Sequence, residues 1–273
     1  MSDPSLMPER LAAFDTFLIE LNRVSAAAIL PLFRADHGLA NKGGPRGFDP
    51  VTQADTDAET AMRALIGERF PTHGVVGEEQ GEDRPDAEFV WVIDPIDGTR
   101  AFIAGLPVWT TLIGLKHQGA PVLGSIGQPY IGELFIGHAS AARLIARGGE
   151  TPLQVRACPH LHDAVIATTD PALFQGEEAT AWQAMRAATK LARLGCDAYA
   201  YAMVALGTLD LVIETGLKSW DIEAARALVR GAGGLVADWR GQPIGCDGGQ
   251  MLIGGDRACL EAAVALLSQA AKP

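Results

Sequence analysis

The chain has 273 residues, 48% of them hydrophobic and 20% charged, which excludes a disordered chain because a large core can form. It carries 22 Lys and Arg against 33 Asp and Glu, a formal net charge of −11. That charge argues against a nucleic-acid groove or a membrane-surface helix, since both need clustered basic residues. No uncharged apolar run approaches the ~18 residues that span a bilayer. The N-terminal residues show no apolar leader segment, and we therefore expect a cytoplasmic protein.

The first half is predicted to hold two amphipathic helices followed by short strands. The helices are expected over 9–34 and 54–70, separated by a Gly-rich stretch at 38–50 that we expect to be mobile. The strands are expected at 75–79, at 88–94 and, as a meander punctuated by Gly and Pro, over 107–147.

The second half alternates between strand and helix patterns, which indicates α/β layering. Strands are predicted at 163–169, 209–214 and 234–239. Helices are predicted at 177–190, 198–206, 221–233 and 259–270. A loop-rich stretch at 148–162 predicts a division into an N-terminal segment, 1–150, and a C-terminal segment, 151–273.

The segment WVIDPIDGTRAF (91–102) carries the strongest chemical signal. Its apolar run ends at Asp94, and the following proline prevents the strand from continuing. A carboxylate at the end of a buried strand is costly unless it is paired or binds a cation, and Asp97 adds repulsion. We therefore expect both to hold a hard cation such as Mg²⁺, beside a phosphate seat where a helix begins at Gly98 and Thr99. Taken alone, Asp-Gly-Thr is equally consistent with a capped turn.

Three further fragments supply acids, each with a structural alternative. Glu78 and Glu79 close an apolar strand, although a Glu pair on a loop is more often a solvated face. DPVTQAD (49–55) puts Asp55 in the first turn of a helix, and KSWD puts Asp221 at the start of another, where both can also act as caps. Together they predict an oxygen-rich site for two or three Mg²⁺ ions, whose charge would attract an anionic substrate.

The motifs DPVTQAD, GEE, WVIDPIDGTRAF and LKSWDIEAARALVRGAGG resemble, in that order, those of the inositol monophosphatase family. The resemblance runs over nearly the whole chain and implies the family's fold, a layered α/β/α/β sandwich. It implies a Mg²⁺-dependent homodimeric phosphatase acting on a small-molecule phosphate monoester. Neither nucleic acid nor a membrane is expected as a partner.

The resemblance also implies individual metal ligands. Those of the first Mg²⁺ are Glu78, Asp94 and the carbonyl of Ile96. Those of the second are Asp94, Asp97 and Asp221, and Asp55 would lie near a third, looser site.

For catalysis, the resemblance implies that Thr99 and Glu78 orient the attacking water while the amides of Gly98 and Thr99 receive the phosphate. The spacing of the acids argues independently against a covalent intermediate. Covalent phosphatases with a D-x-D-G-T motif use an Asp two residues before the second Asp, and here that position is Pro95, which cannot attack. Lys42, within the Gly-rich stretch, is a further candidate to reach the metal site.

Within the family, the chain is most similar to the histidinol-phosphate phosphatase branch. Asp197 carries this prediction, because a carboxylate suits a substrate that bears an ammonium group and an imidazole, and Glu214 would face the substrate from another side. Gly127, where that branch often has Asp, and Cys196, where it often has Gly, depart from the pattern. Asp197 could instead cap a helix, and Arg193 either approaches the substrate or pairs with an acid.

Two alternatives to a histidinol phosphatase stay open. One is an inositol-1-monophosphatase or another phosphatase of the same family, acting on sugar bisphosphates or a nucleotide 3′-phosphate. The other is a catalytically silent binding protein that keeps the fold.

Overall fold

The computed structural model describes residues 8–36, 38–43, 50–245 and 248–272, and these form seven α-helices and fifteen strands. The helices are α1 (Pro8–Ile29), α2 (Gln53–Arg69), α3 (Thr99–Ile103), α4 (Glu177–Ala188), α5 (Tyr199–Ala205), α6 (Ser219–Gly231) and α7 (Arg257–Leu267). The strands are β1 (Ala40–Asn41), β2 (Pro50–Val51), β3 (Gly74–Gly77), β4 (Gly81–Asp83), β5 (Phe89–Asp97), β6 (Thr110–His117), β7 (Ala120–Gln128), β8 (Glu133–His138), β9 (Ala141–Ala146), β10 (Gly149–Pro152), β11 (Val165–Thr168), β12 (Leu191–Leu194), β13 (Leu211–Leu217), β14 (Leu235–Ala237) and β15 (Gly249–Gly254).

The strands assemble into one large sheet, one small sheet and a two-stranded ribbon of β1 and β2. The large sheet has the order β10-β9-β8-β7-β6-β5-β3-β4 and is antiparallel except where β3 runs parallel to β5. The small sheet has the order β12-β11-β13-β15-β14. In it β11 is parallel to both of its neighbours, whereas β15 is antiparallel to both of its own.

Helices cover both faces of each sheet, so that the layers run α/β/α/β/α. On the outer face of the large sheet, Phe14 of α1 and Met62 of α2 share a core with Trp91. Between the sheets lie α5 and α6, and on the outer face of the small sheet Trp182 of α4 and Leu260 of α7 form a second core. The predicted layered α/β sandwich is confirmed, and α4 with α7 adds a fifth layer to the four that were expected.

A row of glycines lets α6 approach the large sheet closely. Gly114 of β6, Gly124 of β7 and Gly137 of β8 are cross-strand neighbours in register. A Cβ on Gly124 would lie 2.5 Å from the carbonyl oxygen of Ala224, and one on Gly137 would lie 2.4 Å from the Cα of Leu228. Because only glycine leaves this space, the row sets the depth at which α6 packs and hence where its first turn lies.

Several predicted elements differ in their bounds. The first helix ends at Ile29 rather than near 34, because residues 30–34 form turns that keep only isolated bonds, such as the Phe33 N–H to the Ile29 carbonyl at 3.2 Å. The edge strands β4 and β12 were not predicted, because their mostly exposed side chains lack apolar alternation. Strand β15 was not predicted, because glycines flank its short apolar run.

In the Gly-rich stretch 38–50, β1 pairs with β2, and residues 44–49 lie outside the described residues. The division into 1–150 and 151–273 stays a proposal. Strands between 74 and 152 build the large sheet and strands between 165 and 254 build the small one, while α6 packs between the two sheets.

Candidate functional site

The segment between Asp94 and Thr99 breaks the regular ladder of β5 and turns the chain into α3. The register against β6 shifts between Asp94 and Asp97, and the Ile96 N–H donates to Asp94 Oδ1 at 3.0 Å. Gly98 has φ 81°, a left-handed conformation that glycine adopts at little cost, and α3 begins at Thr99. The Thr99 hydroxyl donates to the Ile96 carbonyl at 3.1 Å, so this sharp turn is held by its own side chains.

The first turn of α6 brings Asp221 to the same place. The Lys218 N–H donates to Asp221 Oδ2 at 2.6 Å, so Asp221 also takes part in capping its helix, as the structural alternative held. One carboxylate oxygen each of Asp94, Asp97 and Asp221 lies within 4.8 Å of the others. The structure thus unites three of the predicted metal ligands from two distant parts of the sequence.

The electrostatics of this aspartate cluster fit a bound cation. Burial, with further repulsion from Glu78 and Asp97, raises the pKa of Asp94 well above its usual range. Burial and the nearby charges of Asp197 and Asp221 do the same to the pKa of Asp97, and burial is the main cause that raises the pKa of Asp221 to about 7. Carboxylates that repel one another at this distance fit a hard divalent cation, which relieves the repulsion and accepts oxygen ligands.

Glu78 lies beside the aspartate cluster, and Lys42 contacts it. The Lys42 ammonium is 3.1 Å from Glu78 Oε1 and 2.7 Å from a carboxylate oxygen of Glu79. Burial opposes the charge of Lys42, but the two glutamates outweigh it and raise its pKa. Burial raises the pKa of Glu78, whereas Lys42 and a hydrogen bond with Asp94 lower it. Lys42 therefore reaches the predicted site, where it neutralises Glu78.

Asp55 is buried at the start of α2, where it acts as a capping side chain. Both the N–H and the hydroxyl of Thr52 donate to its Oδ2, at 2.8 and 2.6 Å. Burial raises the pKa of Asp55 to about 6 despite these bonds. Its charge also raises the pKa of Asp94 and Glu78, which places it in the same electrostatic neighbourhood.

Asp197 lies against the turn that leads into α3. Its Oδ2 is 3.0 Å from the position that a Cβ on Gly98 would occupy, and Asp97 Oδ2 accepts the Ala198 N–H at 2.6 Å. The backbone of Asp197 is left-handed, with φ 43°, and α5 starts after Ala198 with no side-chain cap. Asp197 therefore faces the predicted phosphate seat and does not serve as the helix cap that was its alternative. Burial raises its pKa to about 6.

Glu214 is buried and bonded mainly to one threonine. Its Oε1 accepts the N–H of Thr169 at 2.8 Å and the Thr169 hydroxyl at 3.0 Å. A hydrogen bond from the Thr169 side chain also lowers the pKa of Asp197, so Thr169 links the two predicted substrate carboxylates. Burial raises the pKa of Glu214 to about 8. Arg193 lies exposed on the edge strand β12. Burial raises the pKa of the Cys196 thiol, and the charge of Arg193 opposes that rise.

Three neighbours of the site were not predicted from the sequence. Arg100, next to Thr99 in the strongest motif, lowers the pKa of Asp197 and lies 3.9 Å from Asp170. Tyr201 is buried among the carboxylates, and burial followed by the charge of Glu214 raises its pKa. Thr169 is the third. Only Arg100 had a local signal, its adjacency to the motif, because the other two reach the site through tertiary contacts.

Comparisons with known proteins agree with the motifs. The model of the inositol monophosphatase family matches residues 10–272. The chain is 41% identical over 244 residues to the bifunctional phosphatase IMPL2, chloroplastic, of Arabidopsis thaliana. The matched region makes up 89% of this chain and 67% of that protein. It is 34% identical over 204 residues to the histidinol-phosphatase of Chlorobaculum parvum, 74% of this chain and 78% of that protein. A solved inositol monophosphatase from Zymomonas mobilis superposes with a TM-score of 0.80 at 37% identity, covering 92% of this chain and 96% of that one.

Proposed function

This chain belongs to the inositol monophosphatase family and is a phosphatase of that family, and we propose that it is a Mg²⁺-dependent histidinol-phosphatase of histidine biosynthesis. The substrate would be a phosphate monoester of a cationic amino alcohol, hydrolysed to histidinol and phosphate. The choice of substrate rests on one observation: the carboxylate of Asp197 lies directly against the turn at Gly98. An alcohol whose phosphate sits at that turn meets a negative charge, which favours an ammonium or imidazolium group over a neutral polyol.

Two or three Mg²⁺ ions are proposed to bind Glu78, Asp94, the Ile96 carbonyl, Asp97 and Asp221, with Asp55 near a looser site. When bound, such ions lower the pKa of a coordinated water and stabilise the charge that develops on the leaving oxygen. The donors are all oxygens and the aspartates repel one another, which is the chemistry that Mg²⁺ sites require.

The side chains around the turn would orient the reactants. The Thr99 hydroxyl donates its hydrogen bond to the Ile96 carbonyl, so its oxygen would accept a hydrogen bond from the attacking water. Glu78 would accept the second hydrogen bond of that water and take its proton as the water oxygen bonds to phosphorus. The ester bond between phosphorus and the alcohol oxygen breaks in the same step, and the alcohol leaves after taking a proton from solvent. The N–H groups of Gly98 and Thr99, in the first turn of α3, have no partner within the helix and would bind phosphate oxygens.

A substrate panel tests the proposal. Purified protein with Mg²⁺ should hydrolyse histidinol phosphate with a kcat/KM clearly above that for inositol 1-phosphate, and Asp94→Asn should abolish phosphate release from both. If inositol phosphate is the better substrate, the chain is an inositol-1-monophosphatase, the second candidate, which the similarity to the Zymomonas mobilis protein favours. If the protein releases phosphate from neither ester, the proposed substrate is wrong and the proposal fails.

A homodimer in the cytoplasm is the proposed form of the enzyme. Leu106, Tyr130 and Ile131 are exposed apolar side chains, with Leu106 55% exposed. Arg34 joins their two segments by bonding the Gly105 carbonyl and the Tyr130 hydroxyl, so they form one patch that a second copy could cover. Light scattering should then give twice the 28.8 kDa chain mass.

None of the helices described here is long and apolar enough to cross a membrane.

A further inference from the structure

Glu59, on α2, is a buried carboxylate that bonds to the loop carrying Glu78. Its side chain is 0% exposed, and its oxygens accept the N–H of Glu79 at 2.8 Å and the N–H of Gln80 at 3.0 Å. Arg63, one helical turn later, donates its Nε–H to Glu59 Oε1 at 2.8 Å. Burying a carboxylate is costly unless donors satisfy it, and these three donors do so.

The loop is shaped to receive this carboxylate. A Cβ on Gly77 would lie 2.3 Å from Glu59 Oε1, so only glycine at this position allows the contact. The Arg63 guanidinium also donates to the carbonyl of Gly81. The pair on α2 therefore holds the loop from the end of β3 to the start of β4, and Glu78 lies within that loop.

We propose that Glu59 is a positioning residue that aims the carboxylate of Glu78 at the aspartate cluster. The inference rests on the proposed function in one respect, since it takes Glu78 as a metal ligand. Glu59 touches neither the ion nor the substrate. It fixes the backbone immediately after Glu78, and with it the distance between Glu78 and Asp94, which share a hydrogen bond.

The substitution Glu59→Gln isolates this role. An amide has one acceptor oxygen, and its NH₂ group meets at least one of the N–H donors, so the loop loses a bond while the side-chain volume is kept. Removing such support of a metal ligand weakens metal binding by roughly 10–100-fold. We expect the dissociation constant for Mg²⁺ alone, measured by calorimetry without substrate, to rise by that factor. At saturating Mg²⁺ the KM for substrate should stay near the wild-type value.

Glu178→Gln is the matched control. Glu178 is another buried helical glutamate with several donors, among them Thr215 and Gln250, but it lies on α4 in the outer layer. Both variants should lower the melting temperature, and only Glu59→Gln should weaken Mg²⁺ binding. Equal Mg²⁺ affinity in Glu59→Gln and the wild type would overturn the proposal, as would an equal loss in both variants.

A second pair of variants decides the matter if Glu59→Gln does not fold. Arg63→Gln removes the link to Glu59 and to Gly81. Arg69→Gln, at the C-terminal end of α2, removes an exposed ion pair with Glu20 of α1 and a cation–π contact with Phe17, and neither contact involves the loop that carries Glu78. Weaker Mg²⁺ binding in the first alone supports the proposal, and unchanged binding in the first overturns it. If the wild type itself binds no Mg²⁺, the proposed function fails, an outcome distinct from unchanged binding in the variants.

Discussion

At the scale of single residues, Asp97 joins the metal chemistry to the choice of substrate. One of its oxygens lies within the aspartate cluster, and its Oδ2 holds the Ala198 N–H beside Asp197. That bond supports the left-handed backbone of Asp197, a conformation that is unfavourable for a residue with a Cβ. The carboxylate that would recognise the substrate is therefore positioned by a residue of the candidate metal site.

Asp197→Ala should separate recognition from catalysis. A hydrogen bond to a charged group is worth about 1.5–3 kcal/mol, so the KM for histidinol phosphate should rise about tenfold or more. The KM for inositol phosphate, which has no cationic group, should change by less than about twofold. Steady-state kinetics of both substrates measure this, with Asp170→Asn, a half-exposed acid also near Arg100, as the control. Equal changes in both KM values would refute a cation-binding role for Asp197.

At the scale of elements, α6 connects the two sheets and delivers Asp221. Its apolar residues Ile222 and Leu228 belong to the core that also contains Phe135 of the large sheet and Val212 of the small one. The glycine row beneath it allows a close approach that larger side chains would prevent. The position of Asp221 thus depends on small residues far from it in sequence.

Gly124→Ala should therefore disturb both stability and the site. The added methyl group would overlap Ala224, so α6 must move away from the sheet, and overpacking of this kind costs about 1–3 kcal/mol. Denaturant unfolding should show that loss, and Mg²⁺ should bind more weakly because Asp221 moves with the helix. Gly148→Ala, where a Cβ meets nothing within 4 Å, should change neither quantity. A Gly124→Ala protein as stable as the wild type would contradict the role of the glycine row.

At the scale of the whole molecule, the burial of acids makes stability depend on pH and metal together. Burial raises the pKa of Asp55 and Asp197 to about 6, of Asp221 to about 7 and of Glu214 to about 8. In the unfolded chain these groups titrate near their ordinary values of about 4. The folded state therefore keeps protons that the unfolded state releases, and the stability from these groups is lost as the pH rises from about 4 to about 8.

Mg²⁺ should reverse the part of this loss that comes from Asp221 and Asp55, because these lie at the proposed metal sites and the ion binds deprotonated carboxylates of the folded state. We expect the rise in melting temperature on adding Mg²⁺ to be larger at about pH 8 than at about pH 5.5, where protons compete for the same oxygens. Differential scanning fluorimetry measures it, and Asp94→Asn should show little rise at either pH. A rise in the wild type that does not grow with pH would contradict the assignment of Asp221 and Asp55 to a metal.

The sequence by itself determined the fold class and the family, and it predicted the acids of the candidate site, of which the structure brings Asp94, Asp97 and Asp221 together. Its signals were local, because Pro95 marks a break after Asp94, Asp97 and Gly98 begin a turn, and Asp55 and Asp221 lie in the first turns of helices. The proline was expected to end the strand at Asp94, but β5 continues to Asp97 with a shift of register. Only the tertiary structure decided how those acids are held and what surrounds them. Glu214 meets Thr169 across 45 positions and Asp97 meets Ala198 across 101, and no local periodicity records such contacts. The same holds for Glu59, which the sequence presents as one more helical glutamate and which packing buries against Gly77.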